Sequence, residues 1–213
     1  MQTRTITPAI GSRLHPTRLL RLVQACPESV EFVKDFATCA EAWDGTPRAD
    51  WLLWLLNAFG LRDAIRARLF ACWCVRNTPL ADGTKVWDLL TDPRSRQAVE
   101  VAEQVARGRA SEEDRATSWE AAIWAATQAW TSGCDRAHAA ATAAAWTLAI
   151  DTPAERTAEA AAAAASFELA AKAQADAVRG IFGNPFVSPE AHMVGCVSQE
   201  ESLKQLACDA EAI

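Results

Sequence analysis

Arginine and tryptophan side chains alternate with apolar residues from Asp50 to Asn77, the most apolar segment of the chain. Guanidinium groups bind phosphates through paired hydrogen bonds, and indole rings stack on bases and attract cations. A pocket built from such side chains would therefore hold an anionic nucleotide. The candidate ligand or partner contacts in this segment are Trp51, Trp54, Arg62, Arg66, Arg68, Trp73 and Arg76.

Arg68 falls inside the apolar face of the helix that we expect to begin near Leu61. On a 3.6-residue period, that face contains Leu61, Ala64, Ile65, Leu69, Cys72 and Val75. An unpaired buried guanidinium is costly, so Arg68 requires either an internal carboxylate or a place on the floor of an anion site. The candidate carboxylates are Asp44, Asp50 and Asp88. We favour the ion pair, and we expect Arg62 and Arg76, nearer the edge of the face, to contact any ligand.

Two further groups could bind or react. Arg94 and Arg96 stand at the start of a helix signalled by Asp92-Pro93, where they form either a solvated face or a contact to an oxyanion or phosphate. Cys74 precedes Arg76 by two residues and is either a nucleophile with a lowered pKa or a packed thiol. We favour the packed thiol.

The motifs of the common enzyme classes do not occur. The sequence has no G-x-G-x-x-G or Walker loop, no H-E-x-x-H and no G-x-S-x-G. The seven cysteines and three histidines are scattered and match zinc-ligand spacings poorly. We therefore expect a non-enzymatic protein without catalytic residues, metal or cofactor.

Composition limits the partners and the compartment. A net charge of −6 argues against binding nucleic acid through a basic surface. The apolar run from Trp51 to Phe59 is shorter than the roughly 20 residues of a membrane-spanning helix. Residues 1–10 lack the apolar core of a secretory signal, and the odd cysteine count suits free thiols, so we expect a reducing, cytoplasmic location.

Helix periodicity and capping signals predict an all-α fold, a single-domain multi-helix bundle of antiparallel helical hairpins. Residues 50–77 form the predicted central hairpin, broken at Gly60. We expect a flexible segment over 1–15, the helical domain over 16–187, and a tail or short docked helix over 188–213. The predicted common core of the hairpin is Trp54, Leu55, Ile65, Leu69 and Trp73.

Two later helices complete the prediction. One begins at the near-capping box Ser111 to Asp114 and runs to about Ser132. Its expected inward stripe is Trp119, Ile123, Ala126 and Trp130. The other is one long alanine-rich helix over Ala154–Arg179, which would need a bulky partner surface supplied by the tryptophans.

Several of these motifs resemble a known family. Trp51-Leu-Leu-Trp54-Leu-Leu, after Glu-Ala-Trp43-Asp44, resembles the alanine-rich immunity proteins of bacteria and phages. Those proteins continue with an Arg-, Leu-, Ala- and Cys-rich helix, an Ala-Val-Glu-x-Ala-Glu helix ending in Arg-Gly, and alanine tracts. The matching segments here are Arg66 to Cys74, Ala98 to Gly108 and Ala121 to Ala173. The stretches Leu89 to Glu100 and Arg179 to Phe186 also resemble uncharacterised alanine-rich proteins of planctomycetes.

The resemblance spans residues 40–186 and implies a protein that neutralises a toxin or effector by binding and occluding it. The acidic charge would suit a basic partner surface. One alternative is a phage-type counter-defence protein that sequesters an anionic nucleotide signal in the arginine and tryptophan pocket. Another is a structural module that forms homo-oligomers. An exposed apolar face would favour a protein partner, and a closed cavity with converging arginines would favour the nucleotide.

Overall fold

The computed structural model describes residues 8–61, 63–151 and 153–187, and within them the chain is an all-α, multi-helix bundle, as the sequence predicts. The α-helices are α1 (Pro8–Gly11), α2 (Pro16–Leu22), α3 (Pro27–Phe32), α4 (Cys39–Gly45), α5 (Ala49–Ala58), α6 (Ala64–Asn77), α7 (Pro93–Ala106), α8 (Glu112–Thr131), α9 (Asp135–Trp146), α10 (Pro153–Ala164) and α11 (Phe167–Phe182). Short 3-10 helices cover Val33–Asp35 and Val86–Leu89. In the described residues, β-structure is limited to one isolated bridge between Pro79 and Lys85.

The described residues fall into two compact units. The first comprises residues 8–44 and 184–187, and the second comprises residues 45–183. Residues 8–11 form α1 within the segment expected to be loose. The predicted tail over 188–213, with its short docked helix, lies outside the described residues, so this prediction stays untested.

The first unit is held together by contacts between its helices and residues 184–187. The rings of Trp43 and Phe186 meet edge to face with centroids 6.4 Å apart. The Asn184 side-chain amide donates to the Ala40 carbonyl at 3.2 Å. A Cβ at Gly11 would stand 3.2 Å from the Phe186 ring, a tight contact that the ring would have to relieve by moving a few tenths of an ångström, so glycine suits this close approach.

The hairpin of α5 and α6 forms in the second unit, but its inward face differs from the predicted one. Gly60 has the expected positive φ of 67°, and Asp63 caps α6 by accepting from the Arg66 backbone N–H at 2.8 Å. Leu55 is buried as predicted, whereas Trp54 is 39% exposed and Ile65 is 52% exposed. Leu69 and Trp73 are half-buried. The predicted common core of five residues is therefore wrong.

Small residues explain the difference. The buried side of α6 consists of Ala67, Phe70, Ala71, Cys72, Cys74 and Val75. Alanine and cysteine let α6 lie close to α7 and α10, its main neighbours. A helical wheel centred on Leu and Ile therefore points in the wrong direction for this helix.

The same rule governs α8, α9 and α10. α8 packs on α7 and α9 mainly through Ala122, Ala125 and Ala126, while Ile123 and Trp130 stay largely exposed, against the predicted stripe. The Trp130 ring still meets the His138 ring of α9 edge to face, with centroids 5.0 Å apart. α9 and α10 meet mainly through alanines on both sides, and Trp146 of α9 lies under the guanidinium of Arg156 of α10 at 5.5 Å. The predicted long helix is also two helices, since the chain breaks between Ala164 and Phe167 and α11 then packs on α5.

Candidate functional site

Arg68 lies at the C-terminal end of α9, where it satisfies backbone carbonyls. Its Nε donates to the Thr147 carbonyl at 3.3 Å and its Nη2 to the Ala149 carbonyl at 2.9 Å. These oxygens have no partner within the helix, and the negative end of the helix dipole attracts a cation. The expected ion pair with Asp44, Asp50 or Asp88 is wrong, because Arg68 is matched to carbonyls and not to a carboxylate.

Arg115, which the sequence did not single out, completes this cap. It is buried, and its Nη1 donates to the Leu148 carbonyl between the two that Arg68 reaches. Its other nitrogens pair with Glu112, which lowers the pKa of that carboxyl through hydrogen bonding. Glu112 therefore neutralises the charge of Arg115, so that the guanidinium groups of Arg115 and Arg68 can both lie at the C-terminal end of α9.

Arg76 and Arg96 converge on Trp87. Their guanidinium carbons lie 4.2 Å and 5.3 Å from the centroid of the indole. Arg76 also pairs with Glu103, with its Nε 2.6 Å from Oε1. Arg76 therefore already has a half-buried carboxylate partner, whereas Arg96 is exposed.

The other predicted contacts lie in separate surroundings. Arg94 donates to Asp92 and to Gln128, and the hydrogen bond from Arg94 lowers the pKa of Asp92. Trp51 lies 4.9 Å from the guanidinium of Arg48. Arg66 is half-buried, and Arg62 lies outside the described residues. The described members of the predicted pocket thus have different neighbours.

An exposed apolar face on α8 is the feature that sequence reasoning missed. Trp124 and Trp130 are each 63% exposed and Ile123 is 44% exposed. Three large apolar side chains on one exposed helix are unusual, because a scattered single residue is the normal case. We call Ile123, Trp124 and Trp130 the α8 face.

The α8 face borders a shallow depression of about 560 Å³. Its lining residues are Thr117, Trp119, Glu120, Ala121, Ile123 and Trp124. Trp119 is half-buried, with the Arg115 guanidinium 6.0 Å from its ring centroid. Trp124 makes no hydrogen bond or ring contact with any other described residue, so its indole is available to a partner.

The charged residues that α8 itself places near this face are carboxylates, while Arg94 of α7, which is paired with Asp92, reaches Gln128 between Trp124 and Trp130. Glu113 and Glu120 are exposed on the same helix, and Glu120 lines the depression. The only basic residue of α8 is Arg115, which is buried and paired with Glu112. The face therefore combines apolar area with carboxylates and presents no cation of its own helix.

A signal for this face existed in the sequence. Trp119, Trp124 and Trp130 occur in a helix whose other apolar residues are mainly alanines. Alanine contacts bring helix axes close together, which leaves little room for an indole between two such helices.

The two cysteines of α6 are buried free thiols. Burial raises the pKa of Cys72 and Cys74, which suits the packed-thiol interpretation of Cys74. Within the described ranges, no group of three or more His, Cys, Asp or Glu side chains is placed to hold a metal ion. Nor does any helix described here combine the length and apolar character needed to cross a bilayer.

In comparisons with known proteins, no family model, no curated protein and no solved structure matches this chain.

Proposed function

We propose that the protein is a non-enzymatic binding protein of the immunity type, which occludes a protein partner with the α8 face. The observation that carries the proposal is the exposure of Trp124 and Trp130 on one helix. Tryptophan is enriched among the residues that dominate binding energy at protein interfaces. An exposed apolar surface with a carboxylate, Glu120, at its edge suits a basic protein partner, and complementary charge speeds the encounter.

The nucleotide-sequestering alternative ranks second because of what the arginines contact. Arg68 donates to two backbone carbonyls, and Arg76 pairs with Glu103. An anion would have to displace these contacts before it could bind. Arg96 is exposed beside Trp87, and the nucleotide hypothesis now depends on this arginine.

A capture experiment with matched variants tests the proposal. The tagged full chain, the double variant Trp124→Ala/Trp130→Ala and the control Trp54→Ala are used as baits in lysate of the organism that encodes the protein. Any protein retained is identified, purified and titrated against each bait by calorimetry. We expect the double variant to lose about 30-fold or more in affinity, as for the loss of an interface hot spot, with Trp54→Ala close to wild type.

The immunity role adds a second readout. If the partner is toxic when expressed alone, co-expression of wild type should restore growth and the double variant should not. A purified partner that binds the double variant with unchanged affinity would refute the α8 face as the site. Restored growth by the double variant at equal protein level would refute occlusion through this face.

A further inference from the structure

Tryptophans in the unit of residues 45–183 are repeatedly paired with an arginine. Guanidinium carbons lie within 6.0 Å of the ring centroids at Trp51, Trp87, Trp119 and Trp146. A cation over an indole face is attracted by the negative face of the ring. Trp124 is more exposed than a packed indole and has no such partner among the described residues. Among the described residues, Trp54, Trp73 and Trp130 also lack an arginine over the ring, and Trp124 is the member of this group that lines the depression beside Glu120.

The surroundings of Trp124 select the charge of an occupant. Glu120 lies one helical turn before Trp124 and lines the same depression. Among the described residues no lysine or arginine lines it, and the Arg115 guanidinium, 6.0 Å from the Trp119 ring centroid, is paired with Glu112. A carboxylate between two indoles repels an anion and attracts a cation.

From these contacts we infer that the depression between Trp119 and Trp124 receives a lysine or arginine side chain of the protein partner, with Glu120 as its counter-charge. The aliphatic stem of such a side chain would lie on the apolar lining of the depression, and its charged end would meet Glu120 and the Trp124 ring. A volume of about 560 Å³ lies within the range of ordinary ligand pockets, and it is ample for one side chain. This inference rests on the proposed function and specifies the chemistry of its partner.

The direct test uses single side-chain analogues with the full-length protein. The nine tryptophans are replaced by 5-fluorotryptophan, and fluorine NMR signals are assigned through Trp119→Phe and Trp124→Phe. N-acetyl-arginine amide and N-acetyl-lysine amide are the cationic probes. N-acetyl-citrulline amide, the neutral isostere of the arginine probe, is the control.

We expect the Trp119 and Trp124 signals to move with the cationic probes and to stay in place with citrulline. Binding of a lone side chain should be in the millimolar range or weaker. Glu120→Gln should reduce the affinity about threefold or more, and the matched variant Glu113→Gln, which removes an exposed charge outside the depression, should leave it unchanged. Added salt should weaken binding in wild type.

Several outcomes would overturn the inference. Equal movement with citrulline, or unchanged binding in Glu120→Gln, would show that charge does not select the occupant. A Trp124 signal that moves on dilution of the protein alone would assign the depression to a second copy of the chain. A signal that moves with phosphatidylcholine and phosphatidylglycerol vesicles but not with the probes would assign it to a lipid surface.

Failure of this inference is separable from failure of the proposed function. In one outcome, a purified protein partner requires Trp124 and Trp130, yet binding survives Glu120→Gln and the replacement of every lysine and arginine in the partner's interface. That result would refute the cation site and retain the binding role. In the opposite outcome, the probes bind through Glu120, but the purified partner binds the Trp124→Ala/Trp130→Ala variant unchanged. That result would retain the cation site and refute the binding role of the α8 face.

Discussion

Arg68→Ala should destabilise the unit of residues 45–183 by removing two of the three arginine hydrogen bonds to the carbonyls at the end of α9. Arg68 supplies donors to the carbonyls of Thr147 and Ala149, both of which are buried residues. Removing it leaves the two oxygens without their donors in a place that water reaches poorly. The cation at the negative end of the helix is lost as well.

The magnitude follows from the two contacts. A hydrogen bond from a charged group contributes about 1.5–3 kcal/mol, and the bond at 3.3 Å from Nε belongs at the low end of that range. Arg68 is half-buried, and repulsion from Arg115 is relieved by the substitution, so the sum is reduced. We expect a loss of about 2–4 kcal/mol, which corresponds to a fall of about 5–15 °C in Tm.

Thermal unfolding followed by circular dichroism measures this effect. The control is Arg66→Ala, a half-buried arginine of the same helix whose side chain makes no hydrogen bond or ion pair with the described residues. Its Tm should stay near that of wild type, with a change of about 0.5 kcal/mol or less. In the double variant with Arg115→Ala, the losses should be non-additive, because both side chains serve one run of carbonyls.

Equal Tm values for Arg68→Ala and wild type would refute the reasoning, since the carbonyls would then be satisfied without Arg68. A nucleotide that raises the Tm of wild type but not of Arg68→Ala would refute it differently. That result would place Arg68 on the floor of an anion site and return the sequestering hypothesis to first place.

Three other predictions follow from burial and local hydrogen bonds. Trp54→Ala should cost about 1–2 kcal/mol, below the 3–5 kcal/mol typical of a core aromatic, because the side chain is 39% exposed; a loss in the core range on chemical denaturation would contradict its exposure. Ser111→Ala should cost about 1 kcal/mol, since the Ser111 hydroxyl accepts from the Asp114 backbone N–H at 3.1 Å; Ser118→Ala, beyond the first turn, is the control, and equal Tm values would rule out the cap. Burial raises the pKa of Cys39 to about 11, above the unfolded thiol pKa of about 8.5. The stability that this thiol contributes is therefore fully present below pH 8.5 and should be lost as the pH rises through 11. A Cys39→Ser variant that loses the same stability at alkaline pH would exclude this thiol as the source.

Local signals in the sequence determine the helices. Asp92 and Ser111 cap α7 and α8 as expected, because a cap depends only on a side chain and the first turn beside it. Gly60 ends the α5 segment for an equally local reason, its positive φ. These signals suffice for the all-α class and for most helix boundaries.

The side of each helix that faces inward was decided by tertiary packing. In α6 and α8 the buried stripes pass through alanines and cysteines, and Ile65, Ile123 and Trp130 face outward. Hydrophobic periodicity weights large side chains most, whereas close helix approach favours small ones. The hydrophobic pattern therefore identified α6 and α8 as amphipathic helices but assigned the wrong side of each helix to the core.

The candidate site was missed for the same physical reason. The sequence drew attention to arginines beside Trp51 and Trp73, yet Arg68 and Arg76 are occupied by carbonyls and by Glu103. Which donor meets which acceptor depends on the approach of α6 to α7 and α9, segments distant along the chain. Alanines occupy the buried side of α8, so Trp124 is exposed and has no ring or hydrogen-bond partner among the described residues, and only the folded chain shows that its indole lies beside Glu120.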